Sequence, residues 1–252
     1  MTDVTLPRKS AWVRIGDFFF KYRNAIFPVV LIGLFIAFRP PMQYFGSESL
    51  EEWKDVAAVA ITLSGLLFRA AVIGFAYIKR GGLNKKVYAD NLVTEGFFGT
   101  CRNPLYVGNM LIYSGVFLMH GHPAVVVTGI VSYWLIYESI IAAEEFFLRQ
   151  KFGPGYDAYC RDVPRWIPRL SRLKAATQGM AFNFKRVLVK DYTTVANAVM
   201  ALLLLELLER FYSESGDQFL HGLPYVLVPV AVLLGATGAI SLAKRWKWLR
   251  AS

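Results

Sequence analysis

Cysteine and histidine are both scarce in this chain, with Cys101 and Cys160 the two thiols and His120, His122 and His221 the three imidazoles. Two cysteines close at most one bridge, and both fall in segments assigned below to the reducing side of a membrane. Neither a disulfide framework nor a metal site is therefore implied. The histidines have no carboxylate cluster nearby in sequence, so no metal is expected. Charge is thin as well: 18% of the residues are charged against 55% hydrophobic. No internal repeat or low-complexity tract stands out, which leaves out solenoids and disordered arrays.

What the chain does have is long apolar runs. A bilayer-spanning helix needs roughly 20 apolar residues, because the hydrocarbon core is about 30 Å thick and each residue rises about 1.5 Å. Blocks near that length are Val56–Ile78, Pro104–His120, Ala124–Ala143, Thr193–Phe211 and Leu220–Ala243. A shorter sixth, Ala25–Phe38, is extended by the apolar Phe18–Phe20. No small-residue cleavage site follows it, so it reads as a retained helix rather than a signal peptide. The expected fold is all-α: a polytopic membrane protein of about six transmembrane helices. Residues 1–90 form an interfacial segment and two helices, 91–192 a core, and 193–252 a two-helix extension.

The net charge of +10 could point to nucleic acid, but the placement of the charges argues otherwise. If all six blocks cross, 24 of the 28 Lys and Arg residues fall on one side and three on the other, with Arg69 alone inside a span. That asymmetry is the positive-inside pattern of a protein with both termini in the cytoplasm, in a bacterial inner membrane or the endoplasmic reticulum. No nucleic-acid partner is expected.

Polar, aromatic and turn-forming residues concentrate in two stretches at membrane edges on the same expected face, Leu92–Gly108 and Glu144–Arg169. In the first, Gly96 and Gly99 permit a turn, Asn103 suits a helix cap and Pro104 the first helical position. The helix N-terminus and Arg102 attract a carboxylate or phosphate. The second stretch opens on Glu144 and Glu145 at the end of the fourth helix and runs through Phe152–Tyr156 and Tyr159 to Val163–Pro168. Read alone, the carboxylate pair is more often a solvated face or a partner for Arg149 and Lys151, and membrane-edge tyrosines are more often interfacial anchors. Arg165 and Arg169 either touch lipid phosphates or join the site.

Taken in order, Arg102-Asn-Pro-Leu-Tyr-Val-Gly108 opening a helical hairpin, Glu144-Glu145, Phe152-Gly153, Tyr156, Tyr159 and Val163-Pro164 up to Pro168 resemble the isoprenylcysteine carboxyl methyltransferase family and its phospholipid methyltransferase relatives. Asn103 departs from the histidine that many members carry there, which weakens any case for a proton-transferring group at that position. The resemblance implies an S-adenosylmethionine pocket on the cytoplasmic face and an acceptor drawn from the bilayer, either an isoprenylcysteine carboxylate or a lipid head group. Cofactor-binding roles then fall to Arg102, Asn103, Pro104, Tyr106, Gly108, Glu145, Tyr156 and Tyr159, and catalytic roles to Glu144, Glu145, Arg165 and Arg69. A sulfonium is held by aromatic faces and carboxylates, and its amino-acid carboxylate by cationic and backbone donors. The same hairpin and tail are similar to those of membrane sterol reductases, so an NADPH-dependent reductase is the alternative, and a non-enzymatic scaffold a third reading.

Arg69 and Glu138 lie within spans, where ionisable groups are costly and find a partner or a substrate. Arg69 is expected either to pair with Glu138 or to receive an anionic substrate group. Glu206 and Glu209 read equally as a substrate entrance or as interfacial carboxylates opposite Arg210. The last two helices are candidates for a homodimer contact.

Overall fold

The computed structural model describes residues 8–41, 46–75, 80–83, 86–89 and 91–249. Among them lie eight α-helices: α1 (Ala11–Ala37), α2 (Glu48–Phe75), α3 (Pro104–His120), α4 (Pro123–Phe152), α5 (Pro154–Asp162), α6 (Leu173–Thr177), α7 (Phe184–Ser213) and α8 (Gly216–Arg245). The all-helical expectation holds but for one antiparallel hairpin, Arg80–Leu83 paired with Lys86–Ala89. Five of these helices, α1, α2, α4, α7 and α8, are long and apolar enough to cross a membrane. The expected third span, α3, has 17 residues and so rises only about 26 Å, short of a full hydrocarbon core of about 30 Å. It lies between α2 and α4, shielded from lipid by both.

Several boundaries differ from the sequence reading. The first helix begins at Ala11 rather than near Ala25, because Ser10 caps it by accepting from the Val13 N–H and the apolar residues run on without a break. The separate interfacial helix expected over Met1–Asn24 is therefore the first half of α1, its first seven residues lying outside the described ones. The last three residues of the Val56–Ile78 block also lie outside them. α4 continues to Phe152, so Glu144 and Glu145 are within the helix and not at its end. α7 begins at Phe184, not Thr193.

The helices pack in the spatial order α1, α4, α3, α2, α7, α8. The α2–α3 seam is the most extensive, and small residues let the backbones approach there: a Cβ on Gly65 would lie 2.7 Å from the Gly108 carbonyl oxygen, and one on Gly115 2.5 Å from the Ala58 carbonyl oxygen. With no hydrophobic force between helices in lipid, such backbone approach supplies the attraction through dispersion contacts. Between α1, α3 and α4 the interior is filled with rings, Phe27 stacking on Tyr113 and lying against Tyr133 and Tyr137. The two cysteines are unpaired. Glu206 and Glu214 both bind Arg210 along one face of α7, at 2.7 and 3.0 Å, so Glu206 belongs to an interfacial ion-pair ladder.

Candidate active site

The hairpin is closed by Gly121 and His122, which returns the chain so that the first turn of α3 meets the second half of α4. Tyr106 there donates its hydroxyl hydrogen to Glu144 Oε1 at 3.0 Å. The 3-10 turn before α3, Gly96–Gly99, starts at Gly96 with φ +61°, a conformation side-chain-bearing residues resist. It brings Arg102 and Asn103 under the strand-like strap that follows α5.

Backbone and side-chain bonds stitch the two stretches together. The Arg102 N–H donates to the Pro164 carbonyl at 2.9 Å and the Arg169 N–H to the Thr100 carbonyl at 3.0 Å. Asn103 occupies the cap position of α3, yet its side chain makes no capping bond; its amide donates instead to the Arg165 carbonyl at 3.0 Å. The expected cap is thereby traded for a tether to the strap. The buried Cys101 thiol donates to the Trp166 carbonyl at 3.0 Å. Burial pushes its pKa up to about 11, so it stays a neutral thiol at ordinary pH.

At the centre is Glu145, buried between two guanidinium groups. Arg165 holds it with two bonds, Nε to Oε1 at 3.1 Å and Nη2 to Oε2 at 3.0 Å, and Arg102 Nη1 stands 3.2 Å from Oε1. Such fork-to-carboxylate geometry fixes both partners in one orientation. Arg165 also donates to Glu138 Oε2 at 2.7 Å, and the Trp166 indole N–H donates to Glu138 Oε1. The side chain of Arg165 remains 31% exposed while that of Glu145 is 9% exposed, so the site opens past Arg165. Arg102 Nη1 further donates to Cys160 Sγ at 2.7 Å. Burial works against the charged form of Arg102, but Glu145, Cys160 and Tyr156 together outweigh it, and its pKa is raised. Its Nε is buried with no hydrogen-bond acceptor among the described residues.

Of the expected site residues, Arg102, Asn103, Tyr106, Glu144, Glu145 and Arg165 converge here, with Pro104 as the buried first residue of α3. Tyr156 and Tyr159 lie beneath, in a small core with Ala89, Leu148 and Val163, and the Tyr159 hydroxyl donates to the Phe98 carbonyl at 2.8 Å. Gly108 faces α2: a Cβ there would come 2.4 Å from Arg69 Cγ. Arg69 itself is elsewhere. Its pairing with Glu138 does not occur, because α3 separates α2 from α4 and Glu138 is taken by Arg165 and Trp166. Arg69 instead clasps the buried Asp191 of α7 through Nε, at 3.1 Å, and Nη2, and also donates to Asn109 Oδ1 at 2.6 Å, the Leu105 carbonyl at 3.4 Å and Thr194 Oγ1 at 3.4 Å. A guanidinium has five N–H groups, and these acceptors occupy all of them. None remains for a substrate anion. Sequence reasoning missed Asp191 and Trp166; the sign that could have found Asp191 was the need of a deeply placed arginine for a carboxylate on some neighbouring helix.

The fold and the site together define a polytopic helical membrane protein with a buried carboxylate and guanidinium cluster at one end of a helical hairpin. Residues 53–155 match the phospholipid methyltransferase family. The chain is 26% identical over 202 residues to the nickel-cobalt-cadmium resistance protein NccN of Alcaligenes xylosoxydans xylosoxydans, a match covering 77% of this chain and 90% of that protein. It is 33% identical over 114 residues to the cobalt-zinc-cadmium resistance protein CzcN of Cupriavidus metallidurans, covering 43% of this chain and 52% of that protein. It is 28% identical over 127 residues to the protein-S-isoprenylcysteine O-methyltransferase of Xenopus laevis, covering 48% of this chain and 43% of that protein. The chain thus spans about half the length of the latter two. No solved structure matches. The chain is thus similar to the phospholipid methyltransferase family over residues 53–155 and to isoprenylcysteine O-methyltransferases over about half of its length.

Proposed function

We propose that this chain moves a methyl group from S-adenosylmethionine to a lipid or lipid-anchored acceptor at the cytoplasmic edge of the bilayer. The observation that carries the reading is Glu145, buried and held between Arg102 and Arg165 where two separated stretches of sequence meet. The residues present suit that cofactor: Arg102 Nε is a buried donor still lacking an acceptor, as a bound amino-acid carboxylate would supply, and Glu144, Glu145 and Tyr106 are groups that favour a sulfonium. When bound, S-adenosylmethionine supplies an electrophilic methyl carbon. That carbon would be taken by the acceptor's lone pair, the electron pair of the carbon–sulfur bond staying with sulfur, while Arg102 would hold the cofactor's carboxylate and Glu144 and Tyr106 its sulfonium. The chain's own task is then alignment and exclusion of water, for which the locked Glu145–Arg165 fork and the half-buried Tyr106–Glu144 bond are suited. No nucleophile on the protein is required.

The open side past Arg165 is the approach for the acceptor, and the exposed Ile167 and Leu170 beside it give that rim an apolar edge toward lipid. The isoprenylcysteine methyltransferase relatives favour a prenylated carboxylate, and the phospholipid methyltransferase match favours a head-group amine. Two relatives are named for metal resistance. The test is titration of purified protein with S-adenosylmethionine, S-adenosylhomocysteine and NADPH, followed by incubation of native lipid extract with labelled cofactor. Tight binding of the first two and a labelled lipid are expected; binding of NADPH alone would sink the proposal in favour of a reductase.

A further inference from the structure

A chain of contacts leaves the proposed site in the direction of α7. Arg69 reaches across α2 to α3 over Gly108, where any side chain would obstruct its methylenes. Its Nη1 donates to Asn109 Oδ1 at 2.6 Å, and Asn109 Nδ2 donates to the Tyr137 hydroxyl at 2.9 Å. The Tyr137 ring, 2% exposed, packs at 4.9 Å between centroids on Tyr106, and Tyr106 donates to Glu144. At the far end, Asp191, 1% exposed, fixes the Arg69 guanidinium through two of its nitrogens.

The chemistry gives this chain a direction. An amide flipped end for end would set its NH2 group against a guanidinium, donor against donor, so the cation of Arg69 selects one orientation of Asn109. In that orientation Asn109 presents an N–H to Tyr137, which holds the ring in a fixed place beneath Tyr106. The packing of the two rings then helps to set the angle from which Tyr106 reaches Glu144. Side-chain networks of this kind specify a single arrangement.

Resting on the proposed methyltransfer, we propose that Asn109, oriented by the Arg69–Asp191 pair and acting through Tyr137, is a positioning residue for the Tyr106–Glu144 unit. Neither Asn109 nor Asp191 touches the reacting groups; what they set is the angle at which Glu144 is presented.

Tyr137→Phe is the discriminating variant, since it keeps the ring, removes the hydroxyl that accepts from Asn109 and leaves the Arg69–Asp191 pair untouched. The full chain in detergent or nanodiscs is assayed for transfer from labelled S-adenosylmethionine into native lipid, alongside thermal unfolding. We expect Y137F to keep its melting temperature, to lose about tenfold in kcat with KM for the cofactor little changed, and to cost nothing further when built on Tyr106→Phe. That non-additivity is the signature of two residues acting through one path. A second variant, Asn109→Ala, removes the donor at the other end of that bond and should reproduce the loss. Wild-type turnover in Y137F, or losses that simply multiply with Y106F, overturns the inference while leaving the methyltransfer intact. A wild-type protein that neither binds nor uses the cofactor takes down the proposed function, and this inference with it.

Discussion

Replacing Asp191 with asparagine removes the one charge that balances a cation deep within the helices. The side chains of Arg69 and Asp191 are 11% and 2% exposed, and the carboxylate accepts from both Nε and Nη2. Removing one partner of a buried pair costs about 3–5 kcal/mol, because the remaining charge stays desolvated. The amide oxygen that D191N introduces can still take one bond, and Leu105, Asn109 and Thr194 continue to accept from Arg69, so the low end, about 3 kcal/mol, is the expectation. For a chain of this size that is a fall of about 6–12 °C in melting temperature. The assay is thermal unfolding in one detergent at fixed protein concentration, for Asp191→Asn, Arg69→Met and the double variant Arg69→Met with Asp191→Leu. The double variant should be less destabilised than the sum of its single changes, since it leaves no orphaned charge. A shift for D191N within about 2 °C of zero, or strict additivity in the double variant, would refute the reasoning.

Gly108→Ala should destabilise by about 1–3 kcal/mol through overpacking, because the new methyl would lie 2.4 Å from Arg69 Cγ and 3.1 Å from the Gly65 carbonyl oxygen; thermal unfolding checks it. Cys101, fully buried and with its pKa pushed up to about 11, should resist iodoacetamide under mildly alkaline conditions while the half-buried Cys160 reacts, as mass spectrometry of the labelled peptides would show. The same shift has a sign for stability. The folded thiol holds its proton between the ordinary value of 9.0 and about 11, where the unfolded one has lost it, so this contribution is complete below that window and fades as pH rises through it. A Cys101→Ala variant should lose that segment of the alkaline stability slope, and an unchanged slope would contradict the assignment.

The helical class and the pairing of the two polar stretches were legible because both rest on strong local signals. Apolar block length marks a span, and Arg102–Gly108 and Glu144–Pro168 are dense in turn-forming, aromatic and charged residues at the ends of such blocks. Glu138 and Glu145 are about two turns apart on α4 and so share a face, and Arg165 bridges the two. What phase could not give was the neighbour of each helix. Arg69 and Glu138 were matched by depth alone, but α3 lies between their helices, and the true partner is on α7. Asp191 escaped notice because the first turns of α7 hold Lys185, Arg186, Lys190 and Asp191, which break the apolar run and made Thr193 look like the helix start. The same averaging hid the continuity of α1, whose first half mixes Arg14, Asp17, Lys21 and Arg23 with its aromatics. Asn103 shows a third limit: a residue with good capping chemistry was drawn instead to a carbonyl that only tertiary folding brings near.

The most direct test is calorimetric titration of S-adenosylmethionine into the purified wild type and into Glu145→Gln, both checked for folding by thermal unfolding. Glu145 anchors both Arg102 and Arg165, so the wild type should bind and the variant, still folded, should bind at least about tenfold more weakly. Equal affinity in the two proteins, or no binding by a folded wild type, would contradict a cofactor cradle where the two stretches meet.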